Sequence, residues 1–249
     1  MSETTTAAVD AAVLDARVAA TRAILADAVA RHGNGHADDQ ASLVMASSLG
    51  AEDMVLTDLI LRERLPIRIF TLDTGRLHEQ TLRVLARISE SYGQDVRVYF
   101  PAAGDVESLV TAQGINGFYV SVDARKACCR VRKVLPLSRA LTGRQAWITG
   151  LRREQSPTRA ELLAEAWDAD HGIAKWSPLA DWSEAEVWAY LRAHKVPYNA
   201  LHDQGFLSIG CAPCTRAVQP GEDARAGRWW WEHPETKECG LHVAGAGEA

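Results

Sequence analysis

The chain has 249 residues, 47% of them hydrophobic and 24% charged, which is typical of a globular protein long enough for one large domain or two small ones. The formal net charge of −5 excludes bulk attraction to nucleic acid, and no apolar run reaches the length of a membrane span. Residues 1–8 carry no Arg or Lys, which argues against a secretory signal. We therefore expect a cytoplasmic protein whose cysteines stay reduced.

The first two thirds of the sequence alternate strand and helix patterns. Residues 8–31 predict a helix that stops at Gly33-Asn34-Gly35. Strands are then predicted over residues 42–46, 67–72, 96–100 and 146–149, and helices over residues 51–64, 77–92, 105–113 and 126–141, with a kink at Pro136. This order predicts an α/β fold, a parallel sheet flanked by helices. Its loops 47–53, 73–76 and 150–159 are expected to converge on one crevice at the carboxyl ends of the strands.

The last third of the chain has a different character. Ser183 and Glu186 predict a capping box that opens a helix through Leu191, and Trp182 and Val187 are spaced to form a hydrophobic staple. Beyond Pro197 the sequence is loop-rich and holds three of the five cysteines. A bound metal in this region would replace the hydrophobic core that it lacks.

Four of the five cysteines form two tight pairs, Cys128-Cys129 and Cys211-x-x-Cys214. Three interpretations are open: incidental buried cysteines, structural zinc and an iron–sulfur cluster. Adjacent cysteines on a helix diverge by about 100°, which suits separate iron corners of a cubane better than one tetrahedral ion. An anionic site is also favoured by the nearby cations Arg125, Lys126, Arg130, Arg132 and Lys133. The remaining cysteine, Cys239, suggests a reactive thiol.

Several segments together resemble the assimilatory adenylyl-sulfate (APS) reductases, the iron–sulfur branch of the APS/PAPS reductase family. Three carry the cysteines: Cys128-Cys129-x-x-Arg132-Lys133-x-x-Pro136, Gly210-Cys211-x-Pro213-Cys214-Thr215 and Glu238-Cys239-Gly240-Leu241-His242. Leu72-Asp73-Thr74-Gly75 and residues 150–156 resemble the nucleotide loops of that family. The resemblance runs from about residue 42 to residue 242.

The resemblance implies a fold like that of the adenine-nucleotide α-hydrolases. It also implies one [4Fe–4S] cluster per chain, bound by Cys128, Cys129, Cys211 and Cys214. We accordingly expect an N-terminal helix in residues 1–40, a nucleotide-binding α/β domain in residues 41–200, and a C-terminal segment in residues 201–249 that ends in a mobile catalytic tail.

The implied reaction is the thiol-dependent reduction of adenosine 5′-phosphosulfate (APS) to sulfite and AMP, in assimilatory sulfate reduction and cysteine biosynthesis. It proceeds through an S-sulfocysteine at Cys239, with thioredoxin or a similar dithiol as donor. The resemblance gives Cys239 four catalytic partners: Lys133, Arg225, Arg228 and His242. It gives these substrate contacts: Ser47, Ser48, Gly50, Leu72, Thr74, Gly150 and Arg159.

Further expectations concern neighbours of these residues. Arg152 and Arg153 are weaker candidates for anion binding than Arg159, and Arg225 and Arg228 stand at helical spacing before three consecutive tryptophans. Glu52 and Asp53 are expected to cap the helix that follows the first loop.

Alternative functions are a PAPS reductase or dual APS/PAPS reductase, an ATP-using enzyme of the same fold, and a non-catalytic iron–sulfur redox sensor. The sister family that reduces PAPS, the 3′-phosphorylated substrate, usually lacks the cluster cysteines. The usual S-G-G-x-D-S pyrophosphate loop of the ATP-using enzymes is absent from residues 47–53. We expect no nucleic acid and no membrane partner, and the sequence leaves a homo-oligomer open.

Overall fold

One mixed sheet organises the chain in a computed structural model that describes residues 9–156 and 159–233. Within these residues the strands lie in the order β3-β2-β1-β4-β6-β5. The strands are β1 (Leu43–Ser47), β2 (Arg68–Leu72), β3 (Arg97–Tyr99), β4 (Ala146–Ile148), β5 (Glu165–Asp168) and β6 (Ile173–Trp176). All neighbouring strands are parallel except β5 and β6, which are antiparallel.

Helices cover both faces of this sheet. They are α1 (Ala11–His32), α2 (Ala51–Arg62), α3 (Glu79–Tyr92), α4 (Ala103–Gln113), α5 (Val122–Cys129), α6 (Leu135–Leu141) and α7 (Glu184–Ala193). None of the described helices has both the length and the apolarity that a membrane crossing requires. The prediction of alternating strands and helices is confirmed, with helix and strand ends displaced by a few residues.

Both faces of the central strands are buried, as expected for a parallel sheet covered on two sides. Leu43 and Met45 of β1 pack into the larger hydrophobic core, together with α1, α2 and α7. Val44, between them, points to the opposite face and packs with Trp147 and Leu137 of the smaller core. This packing fixes the carboxyl ends of β1, β2 and β4 beside one another.

The hairpin of β5 and β6 was not predicted from the sequence. β6 pairs with β4 in parallel, and β5 closes this edge of the sheet. The four residues of β5 do not alternate regularly between apolar and polar, and Trp167 in this strand is 68% exposed. Such a short, exposed edge strand lacks the periodicity by which strands are recognised.

An irregular turn separates α5 from α6. Residues Arg130–Val134 form a π-helix that directly follows Cys129. The sequence predicted a kink at Pro136, but the irregular turn comes before this residue, and Pro136 itself lies in the first turn of α6. The π turn that directly precedes Pro136 shifts the hydrogen-bond pattern, with Leu135 N bonded to the Arg130 carbonyl oxygen, so the helical path passes this proline without a break.

The predicted capping box is confirmed at the start of α7. The Ser183 hydroxyl accepts a hydrogen bond from Glu186 N at 3.2 Å, and the Glu186 carboxylate accepts one from Ser183 N at 2.6 Å. Trp182 and Val187 are both buried in the larger core, as a hydrophobic staple requires. These contacts fix the direction in which the chain enters α7.

Candidate functional site

A cleft of about 330 Å³ opens at the carboxyl ends of the central strands. That volume lies within the range of small-ligand sites. The three loops that follow β1, β2 and β4 contribute to its wall, so the predicted convergence of these loops is observed. Every predicted substrate or catalytic residue in the described ranges lines it: Ser47, Ser48, Gly50, Leu72, Thr74, Lys133, Gly150, Arg159, Arg225 and Arg228.

Asp53 organises the first loop of the cleft. Its Oδ2 accepts hydrogen bonds from Ser48 N and Ser48 Oγ, both at 2.6 Å. Its Oδ1 accepts a third hydrogen bond from Gly150 N at 3.1 Å, so one carboxylate joins the loops after β1 and β4. Leu49, which follows Ser48 in this loop, is buried and has a φ angle of +61°. Such a left-handed backbone conformation is uncommon for residues other than glycine, and it shows how tightly the first loop is folded.

The expected capping role of Glu52 and Asp53 is wrong. Gly50 is the N-cap of α2, and no side chain caps this helix. Asp53 binds the loops, whereas Glu52 Oε1 forms an ion pair with Arg152 at 2.8 Å. Burial raises the pKa of Asp53 to about 6, although the hydrogen bonds from Ser48 and Gly150 favour its ionised form.

The family resemblance implies AMP as a ligand of this cleft. Asp53→Asn is expected to weaken AMP binding about 10-fold above pH 6, because an amide cannot accept all three hydrogen bonds. Below pH 6 the wild-type carboxyl also becomes protonated and loses one acceptor position, so the advantage of the wild type should shrink as the pH falls. Calorimetric titration of both proteins with AMP measures this advantage as a ratio of dissociation constants. The ratio removes the titration of AMP itself. A ratio independent of pH would contradict the assignment.

Gly150 allows the loops after β1 and β4 to approach each other. A Cβ at this position would lie 2.3 Å from Asp53 Oδ1 and 3.1 Å from the backbone nitrogen of Asp53. Neither atom can move without breaking the hydrogen bonds of the first loop. Glycine is therefore required by close packing here.

Gly150→Ala is expected to reduce AMP affinity about 10-fold and to destabilise the fold by about 1–3 kcal/mol, as overpacking does. AMP titration and urea denaturation measure the two effects. Gly104→Ala is the matched control, because a Cβ at Gly104 in α4 meets nothing within 4 Å. Wild-type affinity in Gly150→Ala would show that the contact with Asp53 is dispensable.

Thr74 connects the second loop to the cysteines. Its hydroxyl lies 3.3 Å from Cys211 Sγ, and its carbonyl oxygen accepts a hydrogen bond from Arg132 Nη1 at 2.7 Å. Leu72 lines the cleft beside the aromatic rings of Phe70 and Trp147. Sequence reasoning missed these two rings, although their positions inside predicted strands marked them as candidates.

The three arginines after β4 have different surroundings. Arg152 is 4% exposed and is bound by Glu52 and the Trp182 carbonyl oxygen. Arg153 donates to the Leu162 carbonyl oxygen at 2.8 Å and pairs with Asp181, outside the cleft lining. Arg159 lines the cleft and also donates to Gln155. The preference for Arg159 among the three stays a prediction that this geometry supports.

Two further cations reach the cleft from the C-terminal region. Arg225 and Arg228 line its wall, but Arg225 lies in a turn and Arg228 forms an isolated β-bridge with Thr215, so the predicted helical spacing is wrong. The Asp223 carboxylate accepts a hydrogen bond from Arg225 N at 2.8 Å and stabilises this turn. The Arg228 guanidinium lies 4.7 Å from the centre of the Trp229 ring and donates to the Ile209 carbonyl oxygen at 3.3 Å.

All four described cysteines line one second cavity, beside the cleft. Cys128 and Cys129 end α5. Cys211 directly precedes a short 3₁₀ turn (Ala212–Cys214), and Cys214 is its last residue. Phe118 and Trp229 complete an apolar wall, while the cations that border the cavity are Arg76, Arg125, Arg132 and Lys133. Lys133 and Cys211 line both the cysteine cavity and the cleft.

The thiols of this cavity differ in acidity. Burial and the neighbouring Cys211 raise the pKa of Cys214 to about 12. Burial likewise raises the pKa of Cys128, against the opposing charge of Arg132. Burial would also raise the pKa of Cys211, but Lys133, the Thr74 hydroxyl, Arg228 and Arg132 together lower it below its ordinary value. Of these three thiols, Cys211 is the one whose surroundings favour the thiolate.

The donor chemistry of the cavity fits an anionic, thiolate-bound group. Four soft sulfur donors line the cavity, and Arg132 Nε is buried without a hydrogen-bond partner among residues 9–156 and 159–233. No group of three or more His, Cys, Asp or Glu side chains in those ranges is arranged to hold one metal ion. Cys239 and His242 lie outside the described residues.

Parallel strands whose carboxyl ends carry a polar cleft define a nucleotide-binding protein of the adenine-nucleotide α-hydrolase fold. The structure is similar to that of phosphoadenylyl-sulfate (PAPS) reductase from Candida auris in a phosphate complex, with a TM-score of 0.66 and 25% identity over 85% of this chain and 98% of that chain. Yeast FAD synthetase, solved with FAD, has a TM-score of 0.54 and 15% identity over 83% of this chain and 67% of its own, which shows the fold alone.

Residues 42–217 match the phosphoadenosine phosphosulfate reductase domain. The adenosine 5′-phosphosulfate reductase of Allochromatium vinosum is 64% identical over 201 residues, which are 81% of this chain and 78% of that protein. The adenosine 5′-phosphosulfate reductase of Burkholderia cepacia is 54% identical over 230 residues, 92% of this chain and 89% of that protein. The chain belongs to the family of APS and PAPS reductases.

Proposed function

We propose that the protein reduces adenosine 5′-phosphosulfate to sulfite and AMP, with Cys239 as nucleophile, in assimilatory sulfate reduction and cysteine biosynthesis. One observation carries the proposal: a nucleotide-sized cleft and a four-cysteine cavity share Lys133 and Cys211 in their walls. The high identity to proteins named adenosine 5′-phosphosulfate reductase supports the same substrate. A reducing cytoplasm would keep Cys239 available as a thiol.

The nucleotide is assigned to the apolar and backbone-lined part of the cleft. Leu72 and Thr74 contact the adenosine, and Gly150 admits the ribose close to the backbone. Ser47, Ser48 and Gly50 form the turn before the N-terminus of α2, where backbone N–H groups favour an anion. Glu52 also lines the cleft, but its ion pair with Arg152 neutralises its charge, so the support for APS over PAPS as substrate comes from the relatives named adenosine 5′-phosphosulfate reductase.

The first chemical step is attack of the Cys239 thiolate on the sulfur of the substrate's sulfonyl group. The new S–S bond forms as the bond between that sulfur and the phosphate oxygen breaks, and AMP leaves with the electron pair. Negative charge grows on the phosphate and sulfonyl oxygens, so the cations of the cleft stabilise it. We assign this role to Lys133, Arg159, Arg225 and Arg228, with His242 beside Cys239.

A thiol donor completes the reaction. One thiolate of thioredoxin or a similar dithiol attacks Cys239 Sγ and expels sulfite, which leaves a mixed disulfide. The second donor thiol then attacks the donor sulfur of that disulfide and releases Cys239 as a thiolate. The two electrons gained by the substrate sulfur are thus the two lost by the dithiol, which becomes a disulfide.

We assign Cys128, Cys129, Cys211 and Cys214 to one [4Fe–4S] cluster per chain. When bound, such a cluster supplies a compact negative charge that binds and orients the cations around it. Lys133, which lines both cavities, is held between that charge and the substrate. The proposed chemistry draws both electrons from thiols.

The test is sulfite release from APS and from PAPS, measured on anaerobically purified protein with thioredoxin supplied. We expect sulfite and AMP from APS, and much less sulfite from PAPS. Preference for PAPS would overturn the substrate assignment. Absence of sulfite from both nucleotides, with AMP binding intact, would overturn the enzymatic assignment.

A further inference from the structure

A buried ion pair holds the chain just before the segment that contains Cys239. Arg125 of α5 binds Glu232 in a bidentate manner, with Nε–Oε1 at 2.9 Å and Nη2–Oε2 at 2.8 Å. Their side chains are 1% and 3% exposed. Two parallel charge-assisted hydrogen bonds fix the orientation of the partners as well as their distance. Glu232 is therefore held in one place relative to α5.

Residues around Glu232 are also attached to the cysteine cavity. The Arg125 guanidinium lies 4.5 Å from the centre of the Trp229 ring, and Trp229 N donates to the Cys214 carbonyl oxygen at 3.1 Å. Because α5 ends in Cys128 and Cys129, the segment 229–232 contacts the elements that carry both cysteine pairs. The ion pair thus connects the cysteine cavity to the start of the tail.

The position of Glu232 limits where the proposed nucleophile can go. Cys239 follows Glu232 by seven positions in the sequence. Even a fully extended connection of that length spans at most about 25 Å. The local concentration of a tethered group at a target depends on where its tether begins. A fixed origin beside the cysteine cavity, which shares a wall with the cleft, therefore favours encounters between Cys239 and the cleft.

We propose that Arg125 and Glu232 are positioning residues for the reaction: their ion pair sets the origin of the tail that carries Cys239. This inference rests on the proposed function, because it takes Cys239 as the nucleophile. Neither residue lines the cleft, and Glu232, unlike Arg125, does not line the cysteine cavity either. Weakening the pair should therefore slow the attack of Cys239 without weakening substrate binding.

The test is single-turnover formation of the S-sulfocysteine, followed by mass spectrometry of the holoenzyme mixed with APS in the absence of a thiol donor. For Glu232→Gln we expect a rate at saturating APS that is reduced about 10-fold, as a small misplacement of a reacting group produces. The APS concentration giving half the maximal rate, and the iron content, should stay within about twofold of wild type, because neither site loses a contact. Glu232→Asp, which keeps the charge, should recover part of the rate.

The matched control is Glu222→Gln. Arg216 and Glu222 form a bidentate pair of similar length, 2.8 and 2.9 Å, in the same C-terminal region, but their side chains are 35% and 33% exposed. We expect wild-type behaviour, since exposed pairs contribute little. This variant shows whether any lost ion pair near the tail has the same effect.

Three outcomes would overturn the inference. The first is a wild-type rate of S-sulfocysteine formation in Glu232→Gln. The second is a loss of iron and of APS binding in parallel with the loss of rate, which marks a purely structural role. If Glu232→Gln does not fold, hydrogen exchange of the wild-type enzyme is measured. The amides of residues 229–232 should then exchange as slowly as those of α5, and fast exchange there is the third outcome. Failure of the proposed function looks different, because the wild type would then form no adduct on Cys239.

Discussion

Cys239→Ser is expected to abolish sulfite production, with a loss of about 10³-fold or more, because a serine hydroxyl is far less nucleophilic than a thiolate at neutral pH. The three loops of the cleft and all four cavity cysteines remain in this variant. AMP affinity and iron content should therefore equal those of the wild type. Sulfite release with excess thioredoxin, iron analysis and AMP titration measure the three properties.

Serine is a close match in size, so this comparison isolates the chemistry of one atom. Mass spectrometry adds a direct readout, since wild-type protein exposed to APS without donor should gain a sulfonate on the peptide that contains Cys239. Sulfite production by Cys239→Ser at a rate near that of the wild type would contradict the nucleophile assignment and favour direct attack of the donor thiol on APS.

Cys214→Ser is expected to show the second largest effect, loss of bound iron together with sulfite production reduced about 100-fold or more, since ligand changes in metal sites commonly cost that much. Cys214 lines the cysteine cavity but not the cleft, so AMP affinity should change little. Iron per chain, visible absorbance near 400 nm and sulfite release measure the effect.

Cys239→Ser is the natural control for Cys214→Ser, because both replace one thiol by one hydroxyl. The first variant should keep iron and lose activity, and the second should lose both. Zinc analysis of the wild type distinguishes the structural-zinc interpretation that the sequence left open. Full sulfite production by iron-free protein would contradict the assignment of the cysteine cavity to an iron–sulfur cluster.

Much of the fold was predictable because its elements obey local rules. β1, β2 and β4 are short apolar runs, and α7 opens with the Ser183 and Glu186 side chains that a capping box requires. Elements without such signals were missed or misplaced. The exposed strand β5 has no clear alternation of apolar and polar residues. Arg225 and Arg228 are three positions apart, as on a helix, but the chain there forms a turn in which the Asp223 carboxylate accepts a hydrogen bond from Arg225 N.

The candidate site was predictable to the level of its loops but not of its contacts. Sequence reasoning selected Ser48 and Gly150, yet the carboxylate that joins them, Asp53, was expected to cap a helix. Both roles suit an acidic residue in the first turn of a helix, and only the folded positions of the two loops decide between them. The role of Arg152 could not be predicted either, because its ion-pair partner Glu52 lies 100 positions away in the sequence and only the fold brings the two together.

The π-helical turn at Arg130–Val134 links α5 to α6. A wider turn accommodates one extra residue in an otherwise α-helical path, so the helices on its two sides keep nearly the phase of an uninterrupted helix. The extra residue therefore changes the local shape of the backbone and not the course of α6. Lys133 lies within this wide turn and borders both cavities, so the insertion is part of how the cysteine pair and the cleft share a wall.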